Sequence, residues 1–364
     1  MWRITSFDVE PLCIPLCEPF VVATARIDTT RAALVRATVV HDGDQRRGSG
    51  LGEAAALWPI TASDQPELLA TLRRAAAILL DGTFTGPRDL GILLDDCLAH
   101  DLVARAGAES ALLFALAEGL GQPMYSLLGG VVDRRPFHVE TDITIPIAAP
   151  AHMADLVDAW HARGFHFFKI KVGHHHDDDR RALEAIAARV TAAKVRLDGN
   201  GGQTVDEAIA LARHARGLGL VVQCLEQPTT KADHAALGAV QRALPNTPVI
   251  ADESAASFAD VEALLAGFAC QGINLKLVKH GGPLGAARLG RRALRGGLRL
   301  MVGAMVETRI GLSAMLHVLR SLDVDPADVL VDLDTAFLLQ EDPFVGGYQA
   351  AGPLLRLLDA APRG

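Results

Sequence analysis

The chain has 364 residues, of which half are hydrophobic and 21% are charged, and its formal net charge is −8 at pH 7. This length is sufficient for two domains, or for one barrel with an attached layer. The negative charge argues against a nucleic-acid surface, where a basic patch is expected, and no stretch approaches the roughly 18 uninterrupted apolar residues of a membrane helix.

The first 130 residues predict strands followed by helices. The segment 31–43 is apolar and ends in a turn signal, which is typical of one arm of a β-hairpin. Helical periodicity follows over 65–82 and again over 105–121. This order of elements predicts a small α+β domain over residues 1–130.

From residue 131 to about 340 the pattern changes to strands that alternate with amphipathic helices. The clearest helix begins after Thr204, which forms a predicted capping box with Glu207. Eight candidate strands with seven helical patterns between them predict an α/β protein with a parallel β/α barrel. The candidate strands are 138–145, 166–172, 194–198, 220–226, 248–253, 272–278, 298–304 and 328–334.

Charged residues recur at the ends of these apolar strands. Lys171, Asp198, Glu226, Asp252 and Lys276 follow one another at intervals of 27, 28, 26 and 24 residues. These intervals correspond to one strand, one helix and two turns, so the charges converge at the mouth of a barrel, where active sites form. Three converging carboxylates require a strong cation, and oxygen ligands favour Mg²⁺. The alternative is that each acid caps the helix that follows it.

The lysines on either side of the acids indicate proton transfer. Lys171 and Lys276 flank the three acids, and Lys169 lies two residues before Lys171, so both side chains point to the same side of a strand. A neighbouring ammonium and a bound cation both lower the pKa of a lysine toward the range useful for a base. We therefore expect Lys169 to supply positive charge and Lys171 to move a proton. The alternative is a pair of solvated lysines at a strand end.

Five short motifs carry a resemblance to a known family. The segments KIK (169–171), LDGN (197–200), LEQP (225–228), ADES (251–254) and NLKLVKHGG (274–282) occur in the order and spacing of the enolase superfamily, muconate-lactonising-enzyme subgroup. The resemblance covers nearly the whole chain. It implies a modified (β/α)7β TIM barrel over 131–340 and an N-terminal α+β capping domain, with a C-terminal segment, 341–364, that returns to the capping domain.

The resemblance also implies the roles of the strand-end residues. Mg²⁺ is expected on Asp198, Glu226 and Asp252, with Lys171 and Lys276 as acid/base catalysts. Lys169 is expected to stabilise the enediolate formed when a carbon next to a carboxylate loses its proton. The supporting residues behind these groups are predicted to be Asn200 and Glu253.

Two further segments of the sequence resemble dipeptide epimerases. Asp332 and Asp334 lie on one side of the eighth strand, where a paired carboxylate suits the free α-ammonium group of a dipeptide. Thr141, on the first strand, is predicted to bind the same substrate, and Arg26, in the capping segment, to bind an acidic side chain. The alternatives are that the acids form a surface turn and that Arg26 is a surface arginine.

The predicted function is an Mg²⁺-dependent dipeptide epimerase, an isomerase with a small carboxylate substrate. Three alternatives lie within the superfamily: an N-acylamino-acid racemase, a muconate-type cycloisomerase and an acid-sugar dehydratase. A barrel that only binds Mg²⁺ and a carboxylate is a non-enzyme alternative. The five cysteines lack C-x-x-C spacing and the N-terminus lacks a signal-peptide pattern, which predicts a cytoplasmic protein. Nucleic-acid and membrane partners are not expected, whereas the family resemblance implies a homo-oligomer.

Overall fold

The computed structural model describes residues 1–22, 25–133 and 135–364. Its N-terminal strands are β1 Trp2–Leu12, β2 Pro15–Val22, β3 Ala25–Thr29, β4 Arg31–His41, β5 Arg47–Ala56 and β6 Thr83–Phe84. An antiparallel sheet has the spatial order β5–β4–β1–β6, and β2 pairs separately with β3. The predicted segment 31–43 is therefore confirmed as an arm of a hairpin, because β4 pairs with β5.

The first helices pack on this sheet. Their bounds are α1 Gln65–Leu79, α2 Pro87–Leu98, α3 Leu102–Leu120 and α4 Met124–Leu127. Helix α3 lies directly on β5, and the glycines of β5 make this approach possible. A Cβ atom at Gly48 would lie 1.9 Å from the carbonyl oxygen of Ala115, and one at Gly52 would lie 1.9 Å from that of Gly107. Any larger residue would force the helix off the sheet.

The second part of the chain alternates strands with helices. Its strands are β7 His138–Glu140, β8 Ile143–Ile145, β9 Phe167–Lys171, β10 Lys194–Asp198, β11 Val221–Glu226, β12 Val249–Ala251, β13 Gly272–Leu275, β14 Arg299–Gly303 and β15 Leu330–Asp332. Its helices are α5 Pro150–Ala162, α6 His176–Arg189, α7 Val205–Gly217, α8 His234–Ala243, α9 Phe258–Gly267, α10 Leu277–His280, α11 Pro283–Arg295 and α12 Arg309–Ser321. Within the described residues, β8 to β15 form an eight-stranded sheet in sequence order, which confirms the predicted barrel.

The register of the parallel strands brings the strand-end charges to one level. Asp198 lies opposite Lys171 on one neighbouring strand and opposite Glu226 on the other. Below them, Cys224, Ile250 and Met301 pack together as a small apolar cluster inside the barrel. Because side chains two residues apart share one face of a strand, Cys224 and Ile250 form a floor under the acids that follow them.

The C-terminal segment contacts both parts of the protein. Strands β16 Tyr348–Ala351 and β17 Leu354–Leu357 form a small antiparallel sheet with β7, in the order β16–β17–β7. Near the end of the chain, the Arg363 guanidinium lies 3.7 Å from the Glu118 carboxylate of α3. The divisions at residues 130 and 340 stay predictions.

Among the described helices, none combines the length and the apolar character needed to cross a membrane. The cytoplasmic location and the homo-oligomer expected from the sequence stay predictions.

A buried carboxylate joins the N-terminal sheet to the barrel. Glu53, on β5, accepts hydrogen bonds from the backbone N–H of Thr308 at 2.9 Å and from its hydroxyl at 2.6 Å. Thr308 immediately precedes α12, and its own side chain caps that helix. Burial raises the pKa of Glu53 to about 8, and the nearby Glu307 carboxylate adds to the effect.

We predict that Glu53 makes the stability of the protein depend on pH. As pH rises from about 4.5 to about 8, the unfolded chain releases this proton before the folded chain does, so the folded state loses stability over that window. The Glu53→Gln variant cannot ionise at this position, and its melting temperature should fall less between pH 5 and pH 8 than that of the wild type. Glu140→Gln, at an exposed strand end, is the control and should keep the wild-type pH dependence. An equally steep fall in Glu53→Gln would contradict the prediction.

Candidate active site

A cavity of about 370 Å³ lies between the barrel mouth and the N-terminal sheet. The barrel contributes charged side chains to its wall, namely those of Lys169, Lys171, Asp252, Lys276 and Asp332. The N-terminal part contributes apolar side chains, namely those of Phe20, Val22, Leu57 and Ile60. The barrel side of the cavity is therefore mainly charged, whereas the N-terminal side combines these apolar side chains with the polar Thr61, Ser63, His100 and Asp101.

Lys169 occupies the centre of the charged wall. Its ammonium nitrogen lies 3.0 Å from Asp198 Oδ2, 2.9 Å from Glu226 Oε2 and 2.7 Å from Asp332 Oδ2, and the residue is only 2% exposed. Burial alone would lower the pKa of Lys169, but the surrounding carboxylates, led by Asp332, outweigh it and raise the pKa well above the ordinary value. Lys169 is therefore a permanent cation in this arrangement rather than a base.

Lys171 and Lys276 each pair with one acid of the predicted ligand set. Lys171 Nζ donates to Asp198 Oδ2 at 2.6 Å, and Lys276 Nζ donates to Asp252 Oδ2 at 2.7 Å. Although burial alone would lower the pKa of Lys276, the Asp252 carboxylate raises it above the ordinary value. Lys276 becomes a free amine only when the charge of Asp252 is neutralised by another partner.

The second lysine of NLKLVK holds the end of β12. Lys279 Nζ donates to the backbone carbonyl of Asp252 at 2.7 Å, to that of Asn274 at 2.8 Å and to Asp252 Oδ1. Burial and the neighbouring Lys276 lower the pKa of Lys279 despite these contacts. Both oxygens of Asp252 are thus held by ammonium groups.

Amide side chains support the acids from behind. Asn200 accepts a hydrogen bond from Lys171 at 3.2 Å and donates one to Glu253 Oε1 at 3.2 Å, so the structure brings both predicted supporting residues to the site. Asn274 donates to Glu226 Oε1 at 2.8 Å, a contact not predicted from the sequence. Asn274 lies two residues before Lys276 on the same face of β13, and this alternation is the signal that could have identified it.

The three predicted metal ligands differ in their electrostatic surroundings. Burial alone would raise the pKa of Asp198, but the ammonium groups of Lys171 and Lys169 hold it at about 2. Burial and the neighbouring Asp198 raise the pKa of Glu226 to about 7, and Glu226 Oε2 has no hydrogen-bond partner of acceptable geometry among the described residues. A buried oxygen of this kind fits a hard cation, which prefers oxygen ligands.

A second group of acids lies beside the first. The carboxylate oxygens of Asp142, Asp332 and Asp334 lie within 4.8 Å of one another, and all three residues are buried. Two of these acids are already paired, Asp142 with Arg196 at 2.7 Å and Asp332 with Lys169. Asp334 Oδ2 accepts the backbone N–H of Thr144 at 2.5 Å. We refer to these three residues as the inner acids.

Asp142 and Arg196 were not predicted as site residues. Arg196 lies two residues before Asp198, and Asp142 lies in the segment that holds Thr141, so strand alternation and proximity were the only available signals. Five of the predicted residues are not part of the cavity wall that the structure describes: Asp198, Glu226 and Asp334, which are buried behind it, and Thr141 and Arg26. Thr141 is fully buried and accepts the backbone N–H of Leu333 at 2.8 Å, whereas Thr144 lines the cavity.

Arg26 lies on the exposed side of β3. Its guanidinium is 3.2 Å from Asp28 Oδ1, and both side chains are about 60% exposed. Arg26 is absent from the described cavity wall, whereas Phe20 and Val22 of β2 belong to it. Arg26 thus lies outside the described cavity wall, and its role toward an acidic substrate side chain stays a prediction.

A capped β/α barrel with acids and lysines at its strand ends is typical of an enzyme active site. The sequence profile of the enolase C-terminal domain-like family matches residues 152–360. An L-Ala-D/L-amino acid epimerase from Populus trichocarpa is 33% identical over 359 residues, covering 96% of this chain and 82% of that protein. The chain therefore belongs to the enolase superfamily, which confirms the predicted family.

Solved structures agree with this assignment. A substrate-liganded complex of the L-Ala-D/L-Glu epimerase from Bacillus subtilis has a TM-score of 0.88 and 30% identity, and the match covers 98% of this chain and 96% of that one. A dipeptide epimerase from Enterococcus faecalis, complexed with Mg and the dipeptide L-Leu-L-Tyr, has a TM-score of 0.86 and 27% identity, covering 99% and 98%. Both confirm the predicted capped-barrel fold.

Proposed function

We propose that this protein is an Mg²⁺-dependent isomerase that inverts the α-carbon of the C-terminal residue of a dipeptide. The observation that carries the proposal is the placement of Lys171 and Lys276. Lys171 ends β9 and Lys276 immediately follows β13, and these strands are four apart in an eight-stranded barrel, so the two lysines face each other across its mouth. Two amines on opposite sides of one cavity suit the removal of a proton from one face of a carbon and its return to the other.

The proton transfer follows from these positions. One lysine, as a neutral amine, takes the proton from the α-carbon, and the electron pair of the C–H bond moves into the adjacent carboxylate. The other lysine, as an ammonium, returns a proton to the opposite face of the carbon. Lys169 provides fixed positive charge near the carboxylate throughout, because it is buried and paired to three acids. A barrel that only binds a carboxylate needs no such opposed bases.

We assign the metal to Asp198, Glu226 and Asp252 rather than to the inner acids. The donors are all buried carboxylate oxygens, and the only described contact of Glu226 Oε2 is the ion pair with Lys169 at 2.9 Å, which does not have hydrogen-bond geometry. When bound, Mg²⁺ supplies positive charge that favours the loss of a proton next to the substrate carboxylate. Each set contributes one residue to the cavity wall, Asp252 from the first and Asp332 from the inner acids. We assign the metal to the first set because Asp252 lies 2.7 Å from Lys276, one of the two proposed proton carriers.

The inner acids support a substrate with a free amino group. Asp332 lines the cavity, and the neighbouring Asp334 has one oxygen without a hydrogen-bond partner in the described structure. Burial and the neighbouring Asp332 raise the pKa of Asp334 to about 6, so a further cation beside it would favour its charged form. An α-ammonium group supplies that cation, whereas an N-acyl group does not. A dipeptide therefore suits this site better than an N-acylamino acid.

We propose that the variable side chain of the substrate is apolar. The wall opposite the lysines is formed by Phe20, Val22, Leu57 and Ile60, and burying apolar surface against it is favourable. Arg26 is exposed and paired with Asp28, which leaves no described cation of the N-terminal strands against this wall. An acidic side chain packed against these four apolar residues would lose its hydration without gaining an ionic partner from them.

We predict that Lys171→Ala and Lys276→Ala each lower kcat for epimerisation by about 10²–10⁴-fold, because each removes one of two required proton carriers. In deuterium oxide, the wild type should incorporate deuterium at the α-carbon. Each variant should retain exchange with at most one of the two epimers, which NMR of the recovered substrate can detect. Lys194→Ala, at the opposite end of a barrel strand, is the control. Wild-type turnover in either active-site variant would exclude the two-base mechanism.

We predict that Glu226→Gln weakens Mg²⁺ binding at least about tenfold, because it removes one of three charged ligands. Asp334→Asn, which alters an equally buried acid, should leave Mg²⁺ affinity nearly unchanged. Isothermal titration with MgCl₂ measures both. The reverse ranking would place the metal on the inner acids instead.

We predict that dipeptides with apolar C-terminal side chains have higher kcat/KM than those with acidic ones. Arg26→Ala should leave the ratio of the two kcat/KM values unchanged, because Arg26 does not reach the described cavity wall. Competition between Ala-Leu and Ala-Glu in one reaction measures the ratio directly. A loss of acidic-substrate turnover alone in Arg26→Ala would restore the assignment of Arg26 to an acidic side chain.

A further inference from the structure

The barrel closes differently between its first and last strands than elsewhere. Ladders of backbone hydrogen bonds join each successive pair from β8 to β15, but in the described part of the chain no ladder joins β15 back to β8. One backbone bond crosses this boundary, from Asp142 N–H to the Val331 carbonyl at 3.1 Å. We call the boundary between β8 and β15 the seam.

Side chains complete the seam. Thr141 Oγ1 accepts the backbone N–H of Leu333 at 2.8 Å. The Arg196 guanidinium donates through Nη1 to Asp142 Oδ2 at 2.7 Å and to the Val331 carbonyl at 2.6 Å. We call Thr141, Asp142 and Arg196 the seam cluster. All three are almost fully buried, at 0%, 0% and 3% exposure.

The seam cluster is rigid for physical reasons. Arg196 presents several N–H donors in one plane, and its Nε also donates to Gln223 Oε1 on β11 at 3.0 Å. It therefore connects β10, β11 and β15 with Asp142, the residue that immediately precedes β8. Breaking one of these hydrogen bonds would leave a buried polar group unpaired, which costs free energy. The cluster therefore strongly favours one arrangement.

The anchored groups lie on both sides of Asp332. The Val331 carbonyl belongs to the peptide group before Asp332, and the Leu333 N–H belongs to the peptide group after it. Thr141, Asp142 and Arg196 hold these two groups from outside the strand. Because the two flanking peptide planes set the φ and ψ angles of a residue, the seam cluster fixes the direction in which Asp332 leaves the strand.

We propose that the seam cluster positions Asp332 and Asp334 to recognise the substrate ammonium group. This inference rests on the proposed dipeptide epimerase function. The cluster acts at a distance from the substrate, since none of its three residues lines the described cavity wall. Thr141, expected from the sequence to bind substrate, is thereby assigned a positioning role. The bond from Thr144 N–H to Asp334 extends the same arrangement to the second acid.

A matched pair of variants tests this proposal. Thr141→Val removes the hydroxyl that holds Leu333, with almost no change in side-chain volume. Thr30→Val is the control, because Thr30 is also buried, at 2% exposure, and its Oγ1 accepts a backbone N–H, that of Ile14, at the same 2.8 Å. Both variants should lower the melting temperature by a similar amount.

Substrate affinity distinguishes the two variants. We compare KM for a dipeptide with KI for its desamino analogue, in which hydrogen replaces the α-amino group. Thr141→Val should raise KM about tenfold while KI stays nearly constant, because only the ammonium contact depends on Asp332. Thr30→Val should leave the ratio of KM to KI unchanged, because any effect on the cavity falls equally on both ligands. Thr141→Ser, which keeps the hydroxyl, should restore KM.

Two results would overturn the proposal: equal changes in KM and KI in Thr141→Val, or the same rise in the KM/KI ratio in Thr30→Val. Either result would make the role of Thr141 merely structural.

If the wild type turns over no dipeptide, the proposed function itself fails, and amide hydrogen exchange then tests whether Thr141 anchors the strand at Asp332. Faster exchange at Leu333 in Thr141→Val, but not in Thr30→Val, supports the anchoring of Asp332. Unchanged exchange at Leu333 contradicts it.

Discussion

The ammonium group of Lys169 is the interaction on which the rest of the site depends. It lies within 3.0 Å of carboxylate oxygens from three different strands, those that carry Asp198, Glu226 and Asp332. Buried carboxylates at such short separation repel one another strongly, and removing one partner of a buried ion pair is costly. Lys169 therefore reduces the repulsion among these acids inside the barrel, and it holds their relative positions before any substrate arrives.

Lys169 also joins two regions with different tasks. On one side lie the acids assigned to Mg²⁺, and on the other lie the inner acids assigned to the substrate ammonium group. The two ends of a dipeptide carry opposite charges, so a site that recognises both needs negative and positive regions at a fixed spacing. A single buried cation between the two groups of acids provides that spacing. The seam cluster then holds Asp332 from the other side, through Thr141 and Arg196.

The N-terminal part adds the apolar half of the cavity and is attached to the barrel by polar contacts. Glu53 accepts two hydrogen bonds from Thr308, and the glycines of β5 let α3 pack tightly on the sheet behind it. In the proposed reaction the proton-transfer residues therefore come from the barrel, whereas the residues proposed to contact the variable side chain come from β2 and the loop after β5. Because the two walls come from different segments of the chain, substitutions in the N-terminal segments can alter substrate specificity while the lysines and acids of the barrel stay the same.

The sequence by itself determined the barrel, its family and the positions of the principal charges. Strand ends in a β/α barrel recur at nearly constant intervals, so Lys171, Asp198, Glu226, Asp252 and Lys276 could be identified from spacing along one chain. Strand alternation also put Lys169 on the same face as Lys171. Only the tertiary structure decided which neighbours these residues meet. It places Thr141 at the seam and Arg26 outside the described cavity wall. It also brings Asp142, Arg196 and Asn274 close to the predicted acids. Alternation specifies the face on which a side chain lies, but its partners come from strands far away in sequence, and their register is set by packing of the whole barrel.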